Sequence, residues 1–202
     1  MVKKIAAACL LMAFGSTLHA SEISESSTFL GLELGSTKSE SSLQLGDLPK
    51  VNFESDSVLE YGLRFGAEND EWRTTLLYTY YNDEDNGAEE TMHKGSVLLD
   101  YFFWKTDMDA MTIKPYIGAH VGYMTYELTD DQFFPGFNTT ISDGSGVFYG
   151  LQGGLNMIVS EVIGLDISYK YSWTGVDDSP VPDSTFKLDS MGSIAFSINY
   201  YY

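Results

Sequence analysis

The chain has 202 residues, 29 of them acidic against 11 basic, for a formal net charge of −18. That charge repels phosphate backbones and excludes nucleic acid as a partner. No stretch after the first twenty residues is an unbroken apolar run long enough for a spanning helix, so a helical membrane bundle is excluded too.

Residues 1–20 read as a secretory signal peptide: Lys3 and Lys4, an apolar run over 5–14, then small residues up to Ala20. The single cysteine, Cys9, lies inside that run and is taken as ordinary filling. Removal leaves one domain, 21–202, with no cysteine and therefore no disulfide. Its nine bases against 29 acids give a net charge of −20.

Eight segments then alternate with period two, the pattern of strands whose side chains point to opposite faces. They are 28–35, 58–67, 72–81, 94–103, 113–126, 147–159, 164–173 and about 186–202. One face carries bulky apolar residues and no charge, as in Leu30, Leu32 and Leu34, or Ile194, Phe196, Ile198, Tyr200 and Tyr202. The opposite face holds Glu33, Glu60, Arg64, Arg73, Lys94, Asp100, Lys114, Asp166, Lys170, Lys187 and Asp189. Glycines crowd between them, among them Gly31, Gly62, Gly66, Gly118, Gly122, Gly150 and Gly154. A soluble β-protein alternates as well, but a face of glycine and charge suits a narrow lumen, and a bulky apolar face suits lipid.

The connections differ in length. Those over 36–57, 82–93, 127–146 and 174–185 are long, 68–71 and 160–163 are short, and 104–112 is intermediate. Outer-membrane barrels alternate long external loops with short periplasmic turns. On that topology Tyr78, Tyr80, Tyr123, Tyr171 and Trp173 gather at the outer rim, and Phe65, Trp72, Tyr101, Phe103, Tyr200 and Tyr202 at the inner one. The expected fold is all-β: an eight-stranded antiparallel up-and-down transmembrane barrel with both termini in the periplasm.

With these segments in place the chain resembles the small eight-stranded outer-membrane barrels of the opacity-type and OmpA/OmpX-like kind. The stretches KPYIGAHVGY at 114–123, GLQGGLNMIV at 150–159 and LDISYKY at 165–171 carry the resemblance. It implies outer-membrane lipid and lipopolysaccharide as surroundings, and the barrel-assembly machinery as a partner that reads the terminal signal Phe196, Ile198, Tyr200 and Tyr202. It also implies a structural, envelope or adhesion role, with a host or surface ligand at the loops.

Eight strands leave an interior that side chains fill. The inward charges are therefore expected to form a paired, hydrogen-bonded core rather than an ion path, because buried charge persists only when it is paired. The negative excess lies in loops and turns, with clusters at Asp83, Glu84, Asp85, Glu89 and Glu90; Glu127, Asp130, Asp131 and Asp143; and Asp177, Asp178 and Asp183. They read as a solvated external surface, with cation binding as the alternative. The segment 83–87 is not an EF-hand loop, since Lys94 stands where the bidentate acid belongs. Phe133, Phe134 and Phe137 are candidates for a loop contact or for packing over the mouth, and Asn138-Thr139-Thr140 is a short sequon match.

No catalytic constellation, cofactor motif or metal spacing is expected. Of the two histidines after residue 20, His120 falls on the inward face and His93 begins the fourth segment, and neither has the serine–histidine pattern of a lipid A deacylase. The alternatives to a non-enzymatic barrel are a small channel and a lipid A-modifying enzyme.

Overall fold

The computed structural model describes residues 26–45, 51–54, 57–85, 88–130, 139–178 and 184–202. The signal-peptide residues 1–20, the aromatic trio Phe133, Phe134 and Phe137, and Asn138 of the sequon lie outside them.

The elements are β1 (Ser27–Leu45), β2 (Val51–Glu54), β3 (Val58–Glu68), β4 (Trp72–Asp85), β5 (Ala88–Phe102), β6 (Thr106–Met108), β7 (Met111–Asp130), β8 (Thr139–Ser160), β9 (Ile163–Asp178) and β10 (Ser184–Tyr201). Eight of them form the wall: β1, β3, β4, β5, β7, β8, β9 and β10 each pair antiparallel with the next, and β10 pairs back onto β1. That last pairing, from Phe29↔Tyr201 to Leu45↔Ser184, closes the sheet so that no free edge remains in the spanning part. The two short strands are additions, β2 on the far end of β1 and β6 as a hairpin on β7. The intermediate connection at 104–112 is thus mostly this small hairpin.

The bulky residues point away from the barrel. Leu63, Val97 and Ile167 are 56%, 38% and 46% exposed, whereas Arg64 and Arg73 are 2% and 0% exposed. A soluble protein distributes these residue types the other way round. The arrangement needs hydrocarbon as the solvent of the outer face.

One end carries the start of β1, the end of β10 and the short turns. Asn69 builds the first turn by accepting hydrogen bonds from the Glu71 and Trp72 amides at 2.8 and 2.7 Å. Ser160 does the same for Ile163 at 3.1 Å. At the opposite end the strands outrun the apolar alternation. The pairing of β4 with β5 continues to Asp85↔Ala88, and that of β7 with β8 to Asp130↔Thr139. Most of the acids expected in loops therefore stand on paired strands, including Asp83, Glu90, Glu127 and Asp143. The apolar signal stops where lipid stops, but backbone groups still need partners and the ladder goes on.

Above the apolar band the wall divides in two. Pairing between β3 and β4 ends at Tyr61↔Tyr80, and between β8 and β9 at Phe148↔Thr174. The sheets β4–β5–β7–β8 and β9–β10–β1–β2 continue separately, and their inner faces meet over the lumen.

Candidate functional site

Among the described residues the buried polar and charged side chains gather in the lumen, and its filling is layered. Nearest the chain ends, Lys114 Nζ donates to Glu68 Oε1 at 2.8 Å and to the Asn69 carbonyl at 3.2 Å. Tyr201 and Asn156 donate to Glu68 Oε2 at 3.1 and 3.2 Å. Lys114 Nζ also lies 4.3 Å from the centre of the Phe102 ring, a cation–π contact between buried groups.

The middle layer is built on Arg73. Its Nε donates to Asp100 Oδ2 at 2.9 Å and its Nη1 to Asp166 Oδ2 at 2.7 Å, while the Tyr116 ring centre lies 4.4 Å from the guanidinium carbon. Tyr116 donates to the other Asp166 oxygen at 2.9 Å. Arg64 Nη1 lies 3.5 Å from both Asp166 and Glu33 and donates to Ser197 at 2.5 Å. Gln152 donates to Asp100, and Lys170 pairs with Glu33. Gly118 makes room for this layer. A Cβ there would collide with the Asp100 carboxylate and come 2.6 Å from the Leu99 carbonyl oxygen.

Above it Lys94 pairs with Glu60, and His120 Nε2 lies 2.8 Å from Ser172 Oγ. A cavity of about 30 Å³ remains among these groups. The far end is apolar. Tyr81, Met92, Met124 and Phe148 from one sheet pack against Val176, Leu188 and Met191 from the other. Tyr81 donates to Glu90.

Most of the expected inward charges meet in this network, with one exchange. Lys187 is expected inside but its side chain is 50% exposed, with Nζ 3.8 Å from Asp189 Oδ1. The cause is a bulge: Ser190 pairs with Glu40 and Leu188 with Ser41, so Asp189 is an extra residue that reverses the facing beyond it. Asp189 accepts a hydrogen bond from Ser42 at 2.6 Å and is only partly buried. Glu68, assigned to a turn by its position, is buried in the lumen instead. It continues the inward series Glu60, Gly62, Arg64, Gly66, a parity that could have found it. The paired lumen charges are then five bases (Arg64, Arg73, Lys94, Lys114, Lys170) and five acids (Glu33, Glu60, Glu68, Asp100, Asp166).

The terminal residues Phe196, Ile198 and Tyr200 lie on the outer face, opposite Leu34, Leu32 and Leu30 across the closing seam; Tyr202 follows, 67% exposed. His93 is also on the outer face. Its Nδ1 lies 2.8 Å from the Tyr78 hydroxyl, and its ring is 5.0 Å from that of Tyr80. Among the described residues no group of three metal-ligating side chains comes together.

The family model described as outer membrane protein beta-barrel domain matches residues 6–200. Among solved structures the chain is similar to Neisserial surface protein A, at 14% identity over 89% of this chain and 100% of that one, with a TM-score of 0.60. It is similar also to the outer membrane protein OprG from Pseudomonas aeruginosa, at 18% identity over 87% and 96% of the two chains and a TM-score of 0.55. For the outer membrane protein AlkL the values are 13%, 91%, 93% and 0.54. These likenesses are likenesses of fold. No curated protein matches the chain by sequence.

Proposed function

The chain belongs to the outer membrane protein beta-barrel domain family and lies in the outer membrane, and on that premise we propose that it is a non-enzymatic, non-conducting barrel that serves the envelope or adhesion by presenting acidic sheets outside the cell. The observation that carries this reading is the filled lumen. Ten paired charges occupy its length below the apolar cap, with a cavity of about 30 Å³ beside Lys94 and His120. A path for ions needs a wet, continuous bore, and a hydrophobic constriction blocks one by dewetting.

Both chain ends face the periplasm in this proposal, because the short turns share their end of the barrel. The sheets above the apolar band then face outward, where their acids meet solvent and any host or surface ligand. The terminal strand, with Phe196, Ile198, Tyr200 and Tyr202 on its outer face, is the segment offered to the assembly machinery.

Recording from the purified protein in planar bilayers tests the closed lumen. Silence is expected, and a steady conductance abolished by bulkier lumen residues would overturn it. An epitope inserted between Asp85 and Ala88 tests the orientation, with labelling of intact cells expected. Lipid A of unchanged mass in cells with and without the protein is the expected result against a lipid-modifying enzyme.

A further inference from the structure

The outer wall carries a recess in which polar groups meet apolar ones. It measures about 270 Å³ and is lined by Ser36, Lys38 and Glu40 of β1, by Ser57, by Tyr169 and Tyr171 of β9, and by Ser190, Gly192 and Ile194 of β10. The register explains why it is there. Lys38 pairs with Gly192 and Gly192 with Tyr171, so a glycine stands in the outward row between a lysine and a tyrosine. The missing side chain leaves a gap, and the Tyr169 hydroxyl from the row below reaches across to within 3.0 Å of where a Cβ would be. The bulge at Asp189 lies just beyond, where Ser190 Oγ donates to Glu40 Oε2 at 2.8 Å.

The chemistry of this recess is unlike the wall beneath it. Ile194 forms its apolar side, and directly below lie Phe196, Ile167 and Leu34, all exposed and apolar. A charged ammonium, a carboxylate and several hydroxyls therefore sit where acyl chains end and polar headgroups begin. From this complementarity we propose that the recess binds the phosphorylated glucosamine headgroup of lipopolysaccharide. Lys38 donates to a phosphate of the sugar. Its three N–H donors let it serve that phosphate beside any other acceptor it holds. Glu40 accepts from a sugar hydroxyl or amide, Ser36 and the two tyrosine hydroxyls complete the polar contacts, and the acyl chains run down over Ile194 and Phe196. The site rests on the outward orientation proposed above, because that orientation places the recess in the outer leaflet.

The test is lipid binding by the purified, folded protein in detergent, followed by native mass spectrometry. The probes are bisphosphorylated lipid A, lipid A stripped of phosphate, and phosphatidylethanolamine. Bisphosphorylated lipid A is expected to bind best. Lys38→Gln should weaken it about tenfold or more, the scale of one hydrogen bond to a charged group, and Lys38→Arg should retain it. Gly192→Phe fills the recess on an exposed surface and should abolish binding while the barrel keeps its heat-resistant gel mobility. Equal binding of all three lipids, or full binding by Lys38→Gln and Gly192→Phe, overturns the site. Preference for phosphatidylethanolamine overturns it as well, since Lys38 and Glu40 would then be reading a zwitterionic phospholipid. Cell-surface labelling of the same protein separates the two ideas. A labelled outer end without lipid A binding sinks the recess alone, and an unlabelled one sinks the orientation whatever the lipid result.

Discussion

The middle of the lumen and its cap fill the same narrow cylinder by opposite means. In the middle, Arg73 is held by Asp100, Asp166 and the Tyr116 ring, with Arg64 alongside. At the cap, Met92, Met124 and Met191 pack with Phe148, Leu188 and Val176. The difference follows from the surroundings. Within the apolar band, lipid lies outside the wall, so the lumen is the place where charged side chains can stay, and each needs its partner inside. Above the band both faces of the sheets can reach water. There the two sheets have parted, and apolar residues on their inner faces bury themselves as in a soluble sandwich. The chain therefore changes solvent partway along each long strand, and its inside changes chemistry with it.

Breaking the charged layer is expected to cost most. Asp166→Ala leaves Arg73 and Arg64 short of a shared carboxylate in a buried site, an effect on the order of 3–5 kcal/mol. Urea unfolding in micelles measures it, and a loss under about 1 kcal/mol would mean that water already screens this layer. The adjacent position sharpens the contrast. Ile167 is one residue on and faces the opposite way, 46% exposed. Ile167→Arg should cost roughly 2–4 kcal/mol near the bilayer midplane. The same substitution in a soluble barrel would be nearly neutral, so the measured penalty reports the solvent on that face directly.

The barrel was legible because lipid and lumen each impose period two, and their residue types differ. Strands, facing and closure all follow from that alternation, from Leu30–Leu32–Leu34 to Ile198–Tyr200. Legibility failed where the alternation lost its meaning. Above the apolar band the outward row turns polar, as at Asn82, His93 and Glu127, so the upper parts of β4, β5, β7 and β8 looked like loops. A bulge adds a residue without a sequence signal, and it moved Lys187 from the expected inside to the outside. The apolar cap was missed for a related reason: Tyr81, Met92 and Met124 are separated in sequence, and only the meeting of the two sheets brings them to Val176 and Leu188. The recess beside Gly192 depends on an absent side chain opposite Lys38 across the closing seam, a relation that no single stretch of sequence contains.

The cap should respond more gently than the charged layer. Met124→Leu keeps the volume of a fully buried side chain and should cost less than about 1.5 kcal/mol in the same unfolding assay. A cost approaching that of Asp166→Ala would mean that the cap, not the ion network, is the cooperative centre of the lumen.

The smallest effect is expected outside the membrane altogether. Lys105 Nζ lies 3.0 Å from Asp70 Oδ1 between two short turns, with side chains 42% and 71% exposed. The hydrogen bond to Asp70, helped by the nearby acids, raises the Lys105 pKa above its ordinary value against a small opposing burial effect. A raised ammonium pKa in the folded state contributes stability below the unfolded lysine value of roughly 10.4 and loses it as pH climbs through the folded one. Solvent screens so open a pair, so its contribution should be about 0–1 kcal/mol near neutral pH and smaller still in high salt. Lys105→Gln should therefore leave unfolding almost unchanged at pH 7 and flatten only the alkaline limb of the stability profile. The buried pairs of Arg64 and Arg73 make the comparison decisive: exposed and enclosed ion pairs of one barrel, measured in one detergent, should differ several-fold, and equal costs would show that the lumen is as wet as the turns.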